Sequence, residues 1–199
     1  MTNGTSQCPT ESNGGANAGL PSSLLPLSPS ATAGGIQYQL LDIPSRDGRR
    51  IAAVRHTTTA AVRSPDIALI IHGWSGDRTG PADILKRIAD AIASTGVDCI
   101  RFDLLGRGDS DDPLSGGPTL DGMIDNALDV ISFIDADAET GVPHSAPADA
   151  RSFVHLVGLC SGGNVALGVA SLLKDRVSTV DGLSVFPFQE HSDGRMEDR

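Results

Sequence analysis

Positive charge is scarce in this chain: 15 lysines and arginines stand against 25 aspartates and glutamates, a formal net charge of −10. Nucleic-acid backbones are held by clustered lysine and arginine, so this balance argues against such a partner. Aromatics are few, at five Phe, one Tyr and one Trp. No run of 18 apolar residues occurs, and the N-terminus carries neither the basic nor the apolar segment of a signal peptide. The expectation is a cytoplasmic chain with no membrane span. Cysteine is rare as well. Cys8, Cys99 and Cys160 are an odd number at wide spacing with no CxxC pair, which excludes a disulfide scaffold and a zinc ribbon. There is no HExxH and no GK[ST]. Gly106-Arg107-Gly108 runs into Asp109, Ser110 and Asp111, so a dinucleotide fingerprint fails at its third glycine. The five histidines (56, 72, 144, 155, 191) are scattered. Neither a metal nor a cofactor is expected.

What the chain does have is core material, at 39% hydrophobic residues over a length that suits one domain. It divides early. Residues 1–35 hold six Gly, six Ser, four Pro, four Thr and three Asn with a single charged side chain, Glu11. Such a segment cannot bury enough surface to offset its conformational entropy, so it reads as a disordered tail in which Cys8 is incidental. A folded domain is expected over 36–187, and a loose polar end over 188–199.

Within that domain, 36–43 and 51–57 are β-prone runs joined by a turn containing Asp47-Gly48, a hairpin signal. The run 67–71 (IALII) is continuously apolar, as in a strand covered on both faces. From there strands at 97–102, 152–157 and 180–186 alternate with helices at 81–95, 119–136 and 162–174. Thr119 is a candidate N-cap for the second helix, whose apolar stripe is Leu120, Ile124, Ala127, Leu128, Ile131 and Ile134. Alternation of this kind predicts an α/β fold: an open, mostly parallel sheet with helices on both faces, begun by an antiparallel hairpin.

Ligands of open α/β sheets sit beyond the carboxyl ends of the strands. Three such ends carry distinctive residues: His72-Gly73-Trp74-Ser75-Gly76, the stretch 103–110 (DLLGRGDS), and Gly158-Leu159-Cys160-Ser161-Gly162-Gly163. In the last, a strand turning sharply into a helix presents one side chain at its apex and needs small residues two before and two after. Cys160 at the apex places Gly158 and Gly162 there. Ser161 at the apex would force Leu159 into the crowded position, so the steric argument favours Cys160. The helix that follows would favour a thiolate. The bland alternative is a buried thiol in a glycine-rich turn.

LIIHGWSG, RFDLLGRGDSD and HLVGLCSGG, in that order over about residues 50–187, resemble the α/β-hydrolases, with motifs closer to the exosortase-system-associated hydrolases and to lipase-like and serine-aminopeptidase-like members. A cysteine at the elbow is shared with the dienelactone hydrolases and with hydrolases associated with exosortase systems. The resemblance implies Cys160 as nucleophile, with the backbone N–H groups of Trp74 and Ser161 as oxyanion hole. It gives His72 and Gly73 a loop-positioning part. Asp103, Gly106 and Gly108 become a structural edge of the pocket, and Gly158, Gly162 and Gly163 the elbow's packing. The implied substrate is a small acyl compound: an ester, thioester or lactone. The family's acid and histidine follow the elbow in the chain, and no counterpart is recognised here. His191 and Asp193 stand in the wrong place. The expected chain is thus incomplete after the sixth of these strands, leaving an apolar edge (Leu183, Val185, Phe186) open to self-association. Two function classes remain: a thiol-dependent acyl hydrolase, or a non-catalytic module that keeps the cleft and only binds.

Overall fold

The computed structural model describes residue 1 and residues 30–59, 63–114, 119–139 and 152–185. Cys8, His144, His191, Asp193 and the end over 188–199 lie outside these. Seven strands form one sheet: β1 (Ser30–Ala33), β2 (Ile36–Pro44), β3 (Arg50–Thr58), β4 (Ile67–Ile71), β5 (Asp98–Phe102), β6 (Val154–Leu159) and β7 (Val177–Leu183), in spatial order β1-β2-β3-β5-β4-β6-β7. The β2–β3 hairpin closes through Asp47-Gly48, where Gly48 takes φ +78° and donates its N–H to the Ser45 carbonyl at 2.9 Å. The β4–β5, β4–β6 and β6–β7 pairs are parallel, and β3 meets β5 antiparallel.

Every residue of β4 is buried, as its unbroken apolar run requires of a central strand. Helix α1 (Ile84–Ser94) covers one face, burying Leu85, Ala89 and Ala93 and packing the first two on Ala68, Ile70, Cys99 and Val157. Helices α2 (Leu120–Glu139) and α3 (Ser161–Leu172) cover the other, over Leu69, Ile71, Ile100, Phe102 and Leu156. Thr119 caps α2 through its Oγ1, which accepts the Gly122 N–H at 3.1 Å.

The strands expected at 152–157 and 180–186 run at 154–159 and 177–183, so Val185 lies past the end of β7 and Phe186 lies outside the described residues; three further details depart from the sequence reading. The strand β1 falls within the stretch whose composition marks it as mobile; an edge strand needs only a backbone partner, and Ser30–Ala33 finds it in β2. The first helix starts at Ile84, because Pro81–Asp83 form a 3₁₀ turn with Ala82 and Asp83 at positive φ. In α2 the fully buried apolar positions are Met123, Ala127, Val130, Ile131 and Ile134, while Leu120, Ile124 and Leu128 are half-buried. The helix turns this way because it packs on α3 as well as on the sheet: Ile124 lies where a side chain on Gly168 would stand.

On the α1 face a polar chain is buried. His56, fully enclosed, has Nδ1 2.8 Å from Asp90 Oδ1, and its Nε2 accepts the Arg101 Nε–H at 2.7 Å. Lys86 Nζ reaches Asp90 at 2.7 Å. Burial, aided by the Arg101 charge, pushes His56 down to about 4. Between the ordinary histidine value near 6.5 and that value, the unfolded chain binds a proton that the folded chain refuses. The neutral ring's contribution is therefore whole above about pH 6.5 and lost as pH falls toward 4. Lowering the pH from 7 to 5 is expected to cost about 2 kcal/mol of stability by urea denaturation, and His56→Gln to flatten that slope.

Candidate active site

Strand β6 ends at Leu159 and α3 begins at Ser161, so a single residue turns the chain. Cys160 does so with φ 56° and ψ −122°, a region that costs a non-glycine residue about 1–3 kcal/mol and persists only where the surroundings impose it. The surroundings are glycines. A side chain on Gly158 would run into the Gly162 carbonyl and the Gly163 N–H, and one on Gly162 would stand 2.6 Å from the His72 carbonyl oxygen and closer still to that of Ile71. Gly163 faces the Val185 side chain. The Cys160 N–H donates to the Leu183 carbonyl at 2.8 Å, which ties the bend to the end of β7. Cys160 is partly exposed as a residue, whereas Cys99 is enclosed and burial pushes its thiol up.

The loop after β4 lies against this bend. A Cβ on Gly73 would be 3.2 Å from Cys160 Cβ and 3.7 Å from Ser161 Oγ, so the absence of a side chain is what lets the two loops meet. The Trp74 N–H donates to Ser161 Oγ at 2.5 Å. His72 is buried and spans two loops: Leu104 N–H donates to its Nε2 at 3.0 Å, which leaves the proton on Nδ1, 2.6 Å from the Gly73 carbonyl. Burial pushes His72 below its ordinary value, in keeping with that neutral form. Both ring nitrogens are occupied.

The loop after β5 is a knot around Asp103, which is fully buried. Its carboxylate accepts the Arg78 N–H at 2.6 Å, the Asp109 N–H at 2.9 Å and a guanidinium N–H of Arg78. Its carbonyl accepts the Ser110 hydroxyl at 2.7 Å. Gly108, at φ +51°, passes so close to the carboxylate that no Cβ fits. Gly106 packs on Pro113. Arg107 donates from Nε to the Trp74 carbonyl at 2.6 Å. The residues singled out in the sequence thus gather in two linked groups. Cys160, Ser161, Gly158, Gly162, Gly163, Gly73, Trp74 and His72 meet at the bend; Asp103, Gly106 and Gly108 hold the neighbouring loop. Sequence reasoning missed three contacts, of Arg107 with Trp74, of Leu183 with Cys160 and of the Ser161 hydroxyl with Trp74, because each joins segments far apart in the chain.

The family model of the alpha/beta hydrolase family matches residues 68–196, more than half of the chain and all three of these loops. The chain belongs to the α/β-hydrolase family. No curated protein matches it by sequence. Among solved structures this α/β-hydrolase is similar to a hypothetical protein of Pseudomonas aeruginosa (18% identity, TM-score 0.60, covering 81% of this chain and 45% of that one). It is also similar to a Pyrococcus furiosus esterase (16%, 0.57, 74% and 50%) and to a putative hydrolase of Agrobacterium vitis (26%, 0.51, 72% and 49%). The likeness is one of fold, and the chain spans about half the length of these proteins.

No described histidine of this α/β-hydrolase is free to serve Cys160. His56 is held by Asp90 and Arg101, and His72 by Gly73 and Leu104. His155 has Thr179 Oγ1 at Nδ1 and Asp66 at Nε2. Among the described residues no group of His, Cys, Asp and Glu could hold a metal ion, and no helix is long and apolar enough to cross a membrane.

Proposed function

We propose that this α/β-hydrolase cleaves ester-type bonds (esters, thioesters or lactones) through Cys160. The observation that carries the reading is the backbone of Cys160, held in a costly conformation at the strand–helix turn by glycines that leave room for nothing else. Packing alone would not need a partly exposed cysteine at that bend.

In the reaction, the Cys160 thiolate attacks the acyl carbon. The C–S bond forms and the carbonyl π pair moves onto oxygen. When the tetrahedral intermediate collapses, the bond from the acyl carbon to the substrate's leaving oxygen (sulfur, for a thioester) breaks and the alcohol or thiol leaves as its anion, taking its proton from solvent or a base. Water then cleaves the thioester and returns the thiol. The oxygen that gains charge lies toward the Ser161 N–H, on the side where the Trp74 N–H meets Ser161 Oγ. The base for the second step is none of His56, His72 and His155, whose rings are engaged elsewhere.

Incubation with a p-nitrophenyl ester of a short acid tests this. A burst of about one p-nitrophenolate per chain, with the acyl mass on the Cys160 peptide, is expected. Binding of the ester without an adduct would instead make the chain a module that only binds acyl compounds.

We further propose that β7 pairs with a second copy of the chain. Among the described residues it is one of the two outer strands, most of its residues are exposed, and Leu183 is 36% exposed at its end; an edge of this kind recruits another strand. Light scattering is expected to show mass rising with concentration. A monomer at high concentration would oppose the pairing.

A further inference from the structure

We propose that the hydroxyl of Ser161 is itself an oxyanion donor, polarised by the Trp74 amide, so that the hole is one backbone N–H and one side-chain O–H rather than two backbone N–H groups. The inference rests on the acyl-transfer reading above and deepens it.

A backbone amide has one hydrogen, and that of Trp74 is spent on Ser161 Oγ at 2.5 Å, across 87 residues of sequence. A substrate oxygen arriving along the same N–H would have to displace the hydroxyl. The hydroxyl, however, keeps a proton of its own. Ser161 is only 5% exposed, and among the described residues nothing accepts that proton. A buried, uncommitted O–H beside a nucleophile is unusual, since buried donors are nearly always paired. Gly73 fixes its place: the same missing Cβ would touch both Cys160 Cβ and Ser161 Oγ. Ser161 Oγ and Cys160 Cβ thus border the same space, the one a side chain on Gly73 would fill.

Accepting from Trp74 strengthens the hydroxyl as a donor, because hydrogen bonds in series polarise one another. An O–H donating to a developing O⁻ is short and strong. In the resting protein the proton has no such acceptor; it gains one only when the carbonyl π pair moves onto oxygen. The bond thus favours the transition state over the ground state, as a catalytic contact must.

The test uses two reactions of the same sulfur in the full chain. Acylation by p-nitrophenyl acetate builds an oxyanion; alkylation by iodoacetamide displaces iodide from a saturated carbon and builds none. Rates are read at the Cys160 peptide by mass spectrometry, which keeps Cys8 apart. Ser161→Ala is expected to slow acylation by roughly ten- to a hundredfold. That is less than the hundred- to thousandfold for outright loss of a hole donor, since the freed Trp74 N–H can then donate directly. Alkylation is expected to stay within about twofold, and Ser161→Thr, which keeps the hydroxyl, to recover most of the acylation rate. Unchanged or faster acylation in Ser161→Ala overturns the inference, as it makes the hydroxyl a bystander or a plug. Equal loss in both reactions also overturns it, in favour of a purely structural part. Alkylation without any acylation in the native chain would overturn the acyl-transfer reading itself, and this inference with it.

Discussion

Cys160→Ala is expected to abolish the ester-derived adduct on the chain while leaving the fold intact, with p-nitrophenolate release falling to the rate in buffer. The two described cysteines differ in exposure. Cys99 is enclosed by Ala68, Ile70 and Val157, and burial pushes its thiol up, away from the reactive anion. Cys160 is partly exposed at the N-terminal end of α3. Alanine can hold the same backbone at similar cost, and the site is not fully buried, so thermal unfolding should shift little. Cys160→Ser separates the element from the position. A serine hydroxyl needs a base to become a nucleophile, and the rings of His56, His72 and His155 all have other partners. The serine variant is therefore expected to be as silent as the alanine one. An adduct that persists in Cys160→Ala would move the nucleophile elsewhere. Activity that persists in Cys160→Ser would mean that a base outside the described residues reaches this bend.

The path from sequence to site was short where the constraint was local. Glycines at 158 and 162 flank the apex at two residues' distance, and sterics within six residues suffice to favour 160 over 161; the backbone at Cys160 has the strained angles such an apex requires. The order of strands and helices was legible for a similar reason, because the continuous apolar run of β4 and the stripe of α2 each report which faces are covered. What stayed hidden depends on contacts between distant segments. Nothing near Ser161 announces Trp74, 87 positions earlier. Nothing in SATA announces a strand, since Ser30–Ala33 borrows its pairing from β2. The His56–Arg101 contact arises from the antiparallel meeting of β3 with β5, and only the sheet order reveals it.

Gly162→Ala should be severely damaging, with a loss of about 4 kcal/mol or more by urea denaturation. Gly162 has an ordinary helical backbone, so the substitution carries no penalty of conformation and even gains helix propensity. Only space opposes it. The added carbon would stand 2.6 Å from the His72 carbonyl oxygen and nearer still to that of Ile71. Both are backbone atoms at the end of β4, the strand bonded on both sides in the middle of the sheet, so neither can swing aside as a side chain would. The strain can be relieved only by lifting α3 off the sheet, which opens the contacts of Val165, Ala166 and Val169 with the core. Gly48→Ala is the matched control: its Cβ meets nothing within 4 Å, and its φ of +78° alone should cost about 1 kcal/mol. Should Gly162→Ala still fold, α3 must have moved away from the loop that carries Gly73 and Trp74, and acylation at Cys160 is expected to vanish while the thiol still reacts with iodoacetamide. A variant of native stability that also acylates normally would show that the helix does not press on β4 as these contacts require, and the reason for glycine at 162 would have to be sought elsewhere.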